Sequence, residues 1–382
     1  MNRPSHGSLH VKPDRELNSL TSTPRIQVKT PGKMILMGEY AVLDGSPALV
    51  TAVDRFCYTD IQIHEQKYYT IAAPTIGVPA VELHLHPEKK IIVIESPSEA
   101  IKDKLLLVKL TFEYFLAELN TQIPFCSIQI NTDEFYTANR AKIGLGSSAA
   151  VVVSLVHGLS HISDDLNFSQ QEIYAHALSI HRNAQDGRGS GIDIAASTFG
   201  GTLQYQLNRA DHSLSRIHNY DPLQQLFMIP VWTGTSASTT VLIRKLSQKK
   251  ATEPAEYSKI MSRLASLSEE ACRAYAENNP SLFISSADRY FNAMLSLGEF
   301  INAPVISGEH LEIRDLVKST GGAYKPSGAG LGDIGLAFTD STESESALIQ
   351  KIGQSKFDVL DLSGTAIGSR VKTHIPHVTQ DR

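Results

Sequence analysis

The stretch that most constrains this chain is Ile143-Gly144-Leu145-Gly146-Ser147-Ser148-Ala149-Ala150, which runs directly into the apolar segment Val151-Val152-Val153-Ser154-Leu155-Val156. Glycines let backbone N–H groups approach a bulky anion, and serines suit a helix start. The unpaired N–H groups and positive dipole end of such a helix then favour a phosphate. No lysine follows the second glycine, so this is not the GxxxxGK[ST] nucleotide loop. On its own the stretch is also compatible with a plain glycine-rich helix entry. It does not stand alone: Thr30-Pro31-Gly32-Lys33-Met34-Ile35-Leu36-Met37-Gly38-Glu39-Tyr40 precedes it and Lys325-Pro326-Ser327-Gly328-Ala329-Gly330-Leu331-Gly332-Asp333 follows it.

A chain of 382 residues can bury a large core, most simply as two domains. A net charge of -5 offers no footprint for nucleic acid, so a phosphate site must be local. No apolar run is long enough to span a membrane. Residues 1–24 are polar, without the apolar core of a secretory signal, and read as a disordered leader. Cys57, Cys126 and Cys272 lack zinc spacing and suit reduced thiols of a cytoplasmic protein.

The residue patterns predict a mixed α+β first half over residues 25–225 and a second half over 226–382. Arg25 to Lys29 alternates like a strand, Leu83 to Ile94 reads as a hairpin, Lys104 to Leu119 as a helix and Ser127 to Asn131 as a strand. Gln225 to Trp232 is a candidate buried strand. Helices then dominate from Glu253 to Leu297, where Ile260, Leu264, Leu267, Ala271 and Tyr275 form one apolar stripe suited to core packing. A short helix near Glu312 to Ser319 leads into the third glycine-rich loop. A strand at Ile334 to Phe338, a helix near 343–354 and a last strand at Phe357 to Leu362 complete the pattern.

With its three glycine-rich segments in this order, the chain resembles the GHMP kinases. That resemblance implies a two-domain α+β fold with the active site in the cleft between the domains, and phosphoryl transfer from ATP with Mg2+. It assigns Gly144, Leu145, Gly146, Ser147, Ser148 and Ala149 to the ATP phosphates, with Ser148 as the metal contact. It makes Lys33 and Asp193 the catalytic pair, and gives the loop at Ser327, Gly328, Ala329 and Gly330 a role near the transferring group. Glu39 is left open between a metal-shell and a capping carboxylate. Leu331 stands where relatives of the most similar type have glycine, which argues against a positive φ there.

Within the family, Val231 to Thr240, Gln185 to Asp193 and Gly321 to Gly330 look most like the phosphomevalonate kinases. Mevalonate kinases carry a metal-binding glutamate about eleven residues before the aspartate; here Arg182 holds that place, beside His181. A phosphomonoester, whose second pKa is about 6, is already nucleophilic at neutral pH and needs cations more than a base. Lys33, Lys142, His181, Arg182, Arg188 and Lys325 are candidate cations, with His181, Arg182 and Ser190 as acceptor contacts. The expected activity is therefore phosphorylation of phosphomevalonate to diphosphomevalonate. The alternatives are mevalonate kinase or another alcohol-directed GHMP kinase, diphosphomevalonate decarboxylase, or a nucleotide-binding sensor. The expected partner is a small-molecule substrate, with no nucleic acid or membrane, and the chain a monomer or homodimer.

Overall fold

In the computed structural model the described residues are 25–374, apart from 97, 164–165, 188 and 237–239. The leader expected over residues 1–24 and Arg188 lie outside them. The first half of the chain builds a sheet from β1 (Arg25–Met37), β2 (Pro47–Ile63), β3 (Tyr69–Ala73), β4 (Val78–His86), β5 (Ile91–Ile94), β6 (Cys126–Asn131), β7 (Thr202–Gln206) and β8 (Arg216–Tyr220). Its helices are α1 (Glu99–Lys104), α2 (Leu106–Ala117), α3 (Ser147–Ile162), α4 (Gln170–Ala184) and α5 (Ile192–Phe199). The second half adds β9 (Phe227–Trp232), α6 (Thr240–Thr252), α7 (Pro254–Ala276), α8 (Pro280–Phe300), α9 (Gly308–Lys318), β10 (Ala323–Pro326), β11 (Ile334–Thr339), α10 (Thr342–Gly353), β12 (Asp358–Val359) and β13 (Arg370–His374). The expected α+β class holds.

The first sheet runs β13-β1-β2-β6-β3-β4-β5, with β7 on β2 and β8 on β7. β2 pairs with β1 along one edge and is long enough to serve two partners on the other, β7 over Pro47 to Thr51 and β6 over Tyr58 to Ile63. Its β-branched and aromatic content suits this central place. α3 lies against β1 and β2, where Gly158 leaves room for Ile61 and Val28. The smaller sheet runs β10-β11-β9-β12. On α7, Leu264, Leu267, Ala271 and Tyr275 are buried and Ile260 partly so, as the apolar stripe requires. None of the described helices is long and apolar enough to cross a membrane.

Two expectations change in detail. The strand expected over Phe357 to Leu362 is only β12: Leu360 N–H still reaches Pro230 O at 2.9 Å, but the chain then turns, Leu362 N–H reaching Leu360 O at 3.0 Å. The described chain also leaves the second sheet after β12. Val53 bridges to Gly364, Gly200 to Ile367, and β13 pairs antiparallel with β1, so the tail re-enters the first sheet. Gly200 makes that crossing possible: it has a φ of 71°, and a Cβ there would collide with the backbone nitrogen of Gly368. Gly200→Ala is expected to cost about 2 kcal/mol or more in denaturant unfolding, from backbone strain and overpacking together.

Candidate active site

β1 passes directly beneath the glycine-rich entry to α3. At Gly32 a Cβ would sit 2.7 Å from Leu145 O and 2.8 Å from the Phe135 ring, so only glycine permits the approach. The strand then donates Lys33 N–H to Leu145 O at 2.9 Å. The Lys33 side chain runs along Gly146, and its ammonium donates to Gly144 O at 3.3 Å. Burial pushes the Lys33 pKa below the ordinary lysine value; Asp193, Asp333 and Glu39 oppose that shift, and Lys142 adds to it.

The helix starts around this lysine are built on glycine, whereas α2 and α7, which also lack a side-chain cap, start at Leu105 and Glu253. α1, α4, α8, α9 and α10 each begin with a side-chain cap, from Ser98, Ser169, Asn279, Ser307 and Ser341. α3 and α5 begin instead at Gly146 and Gly191, with φ of 80° and 83° and no side-chain cap. The first-turn N–H groups of α3 are therefore available to an anion, whereas α5 engages those of Ile192 and Ile194 with Ser190 Oγ and Asp193. Ser148, at the start of α3, lies 3.2 Å from His181 Nε2, and Gln185 Nε2 is 3.4 Å from the same ring nitrogen. Asp193 stands in the first turn of α5, where its carboxylate accepts the Ile194 N–H at 3.0 Å.

The third glycine-rich loop is tied to the first through Glu39. Lys325 is fully buried and donates to Glu39 Oε1 at 2.5 Å, to Pro326 O at 2.6 Å and to Ile35 O at 3.5 Å. Glu39 Oε1 also accepts the Gly328 N–H at 3.3 Å. Ser327 Oγ accepts Ile35 N–H at 2.8 Å, and Tyr40 OH donates to Ala329 O at 2.5 Å. Beyond this, a Cβ on Gly144 would lie 2.6 Å from the Asp333 side chain, so the second and third loops touch.

A cavity of about 200 Å³ opens among these elements, lined by Lys33, Glu39, Tyr40, Ser190, Asp193 and Gly328, with Gln185, Ile243 and Ala329 also on its wall. A narrower, apolar cavity of about 120 Å³ abuts the start of α3, lined by Ser147, Ser148, Thr132, Tyr136, Leu107 and Val151.

The structure thus gathers Lys33, Asp193, Ser190, Gly328 and Ala329, and sets Gly144 through Ser148 against them. Leu145 and Ala149 are buried, so they contribute backbone rather than side chain. Gly330 is pressed under the Val305 carbonyl, where a Cβ would collide. Arg182 donates to the carbonyls of Gly187 and Gly189, which holds the loop ahead of α5. Two expectations are corrected. Lys325 is no free cation, because it is sealed against Glu39, and Glu39, left open between a metal-shell and a capping carboxylate, forms an ion pair that neither alternative named. Leu331 does take a positive φ, 69°, in spite of its side chain. Sequence reasoning missed Tyr40, Gln185 and Ile243 as cavity residues; Tyr40 and Gln185 lay inside the quoted segments, whereas Ile243 carried no signal.

Residues 106–201 match the model for the GHMP kinases N terminal domain. The phosphomevalonate kinase of Streptomyces sp. (strain CL190) is 27% identical over 347 residues, covering 82% of this chain and 90% of that one. The mevalonate kinase of Pyrococcus abyssi is 27% identical over 339 residues, covering 86% and 93%. The structure of Streptococcus pneumoniae phosphomevalonate kinase in complex with phosphomevalonate and AMPPNP superposes with a TM-score of 0.72 at 18% identity, over 88% of this chain and 99% of that one. Residues 106–201 are thus similar to the GHMP kinase N-terminal domain, and the chain shares the fold of these kinases. The region matched by the family model carries the α3 entry, the His181 contact and Asp193, while Lys33 and the third loop come from outside it.

Lys325→Met is expected to destabilise the protein by about 3–5 kcal/mol in denaturant melts, because it strands the buried Glu39 charge. The double variant Glu39→Gln/Lys325→Met should recover part of that loss.

Proposed function

We propose that the chain is an ATP-dependent phosphomevalonate kinase, making diphosphomevalonate in the mevalonate route to isoprenoids. The observation that carries this reading is the uncapped start of α3, set over Lys33 with a histidine rather than a carboxylate beside Ser148. That arrangement favours anions, and a phosphorylated acceptor brings more of them together than an alcohol does. Support from the surrounding cations is narrower than the sequence suggested, resting on Lys33 and Lys142.

In this reading the ATP phosphates lie on the backbone N–H groups from Gly144 to Ser148, with the nucleoside directed toward the apolar cavity beside Ser147. The acceptor occupies the cavity of Ser190, Gly328 and Ala329, and Lys33 stands between the two ligands. The chemistry asks the protein for alignment and charge neutralisation rather than a covalent step. Lys33, kept charged by Asp193 and Asp333, neutralises the transferring group. Asp193 orients Lys33 and need not remove a proton, since the acceptor phosphate is already ionised. No group of three His, Cys, Asp or Glu among the described residues could cage a metal. Mg2+, which binds through few protein ligands and substrate phosphates, would be held by Ser148 and would screen phosphate charge.

One observation favours a second reading: the mevalonate kinase relative matches at the same identity as the phosphomevalonate kinase relative. With mevalonate as acceptor, Asp193 would act as the base. Release of ADP from Mg-ATP in separate reactions with mevalonate, phosphomevalonate, diphosphomevalonate and galactose distinguishes the two, and turnover on mevalonate alone would overturn the proposal. Asp193→Asn sharpens the test: a fall in kcat of less than about 100-fold is expected for the phosphorylated acceptor, against a loss of 100-fold or more where a base is needed. Lys33→Ala should lower kcat by about 100-fold or more. Because burial lowers the Lys33 pKa, the wild-type rate should fall on the alkaline side before the ordinary lysine range, as the ammonium loses its proton; Lys33→Arg, slower but permanently charged, should lack that limb.

A further inference from the structure

Behind the third loop, away from the cavity, His310 on α9 is fully buried between two partners. Its Nε2 lies 3.1 Å from Gly332 O and its Nδ1 2.8 Å from Tyr324 OH. A carbonyl can only accept, so Nε2 carries the proton, Nδ1 accepts, and the tyrosine donates. Tyr324 is itself fixed, since its hydroxyl fills the space a Cβ on Gly335 would need. Gly332 C=O and Asp333 N–H are the two poles of one peptide unit, and Asp333 N–H donates to Thr235 O at 2.7 Å. The peptide is therefore clamped at both ends, by His310 and by the loop after β9. One residue earlier, Leu331 N–H is held by Val305 O at 3.0 Å.

We infer that His310 is a positioning residue: by fixing the Gly332–Asp333 peptide it sets the Asp333 carboxylate over Gly144 and within the field of Lys33. The strained φ of 69° at Leu331 and 58° at Asp333 gives the loop a reason to relax if this clamp is lost. Lys33 also feels Asp193, Glu39 and Lys142, so the contribution of Asp333 is one among several and separable. Burial pushes the His310 pKa down to about 4; its bond to Gly332 and the charge of Glu309 oppose that, and Lys325 reinforces it. The ring thus stays neutral, with a fixed tautomer, across the working pH range. The inference deepens the proposed role of Lys33 but does not depend on which acceptor is used.

The test reads Lys33 itself in the full chain: acetylation by acetic anhydride across a pH series, followed by mass spectrometry, with thermal melting to confirm folding. His310→Leu removes the donor, and the onset of Lys33 labelling is expected to move down by about half a pH unit or more as the carboxylate leaves. His310→Gln keeps an N–H for Gly332 and should label like the wild type. An unchanged onset in folded His310→Leu overturns the inference. So does an upward one, which would mean that water had entered and burial rather than aim was lost, and so does an equal shift in His310→Gln. If His310→Leu does not fold, Tyr324→Phe decides: it removes the ring's second anchor at Nδ1, and the onset should move part of the way down, an unmoved or raised onset again overturning the inference. Because no acceptor is present, failure of the phosphomevalonate reading would leave this result untouched.

Discussion

The buried pair of Glu39 and Lys325 is the contact on which the arrangement of the site depends. It joins β1, in the larger sheet, to β10, in the smaller one, at the point where the first and third glycine-rich segments meet. Such a pair is not a large net source of stability, since removing two charges from water costs several kcal/mol per ion. Its value here is geometric. All three ammonium protons of Lys325 have acceptors, and Glu39 Oε1 also takes the Gly328 N–H. Any sliding of one sheet against the other would strand a charge in a dry interior, so the two halves of the cavity are held in one register. Ser327 to Ile35 and Tyr40 to Ala329 repeat the link with neutral groups, which leaves Lys33 as the ammonium facing the cavity beside them.

Much of this was legible in the sequence where local chemistry decides structure. Gly144 to Ser148, followed by an apolar run, specifies a helix with an open amino end, and the chain builds one. The α7 stripe specifies a buried face, and it is buried. What could not be read was partnership across long separations. Lys325 and Glu39 are 286 residues apart, and nothing in the immediate surroundings of either marks them as a pair. By composition Lys325 was one more cation near a phosphate loop; three-dimensional burial turned it into a strut. Arg182 is a similar case: its guanidinium looked like an acceptor contact and is spent on the carbonyls of its own loop. The return of β13 to β1 was equally hidden, because a short polar strand carries little periodic signal.

Leu331 shows why a sequence rule about glycine can fail at such a site. A positive φ costs a leucine roughly 1–2 kcal/mol, so its presence suggested a different backbone. The conformation is nevertheless imposed from outside: Val305 takes the Leu331 N–H, His310 and Thr235 grip the next peptide, and Gly330 has no room to swing under the Val305 carbonyl. Tyr40, with a φ of 62°, is held in the same way, by its hydroxyl bond to Ala329. Strain of this kind persists only where surrounding contacts over-determine the backbone. Here the over-determination comes from the sheet, the α8–α9 connection and the loop after β9 together. The third loop is therefore rigid because its neighbours are, and the aim of its groups at Lys33 is a property of the whole second half of the chain rather than of its glycines.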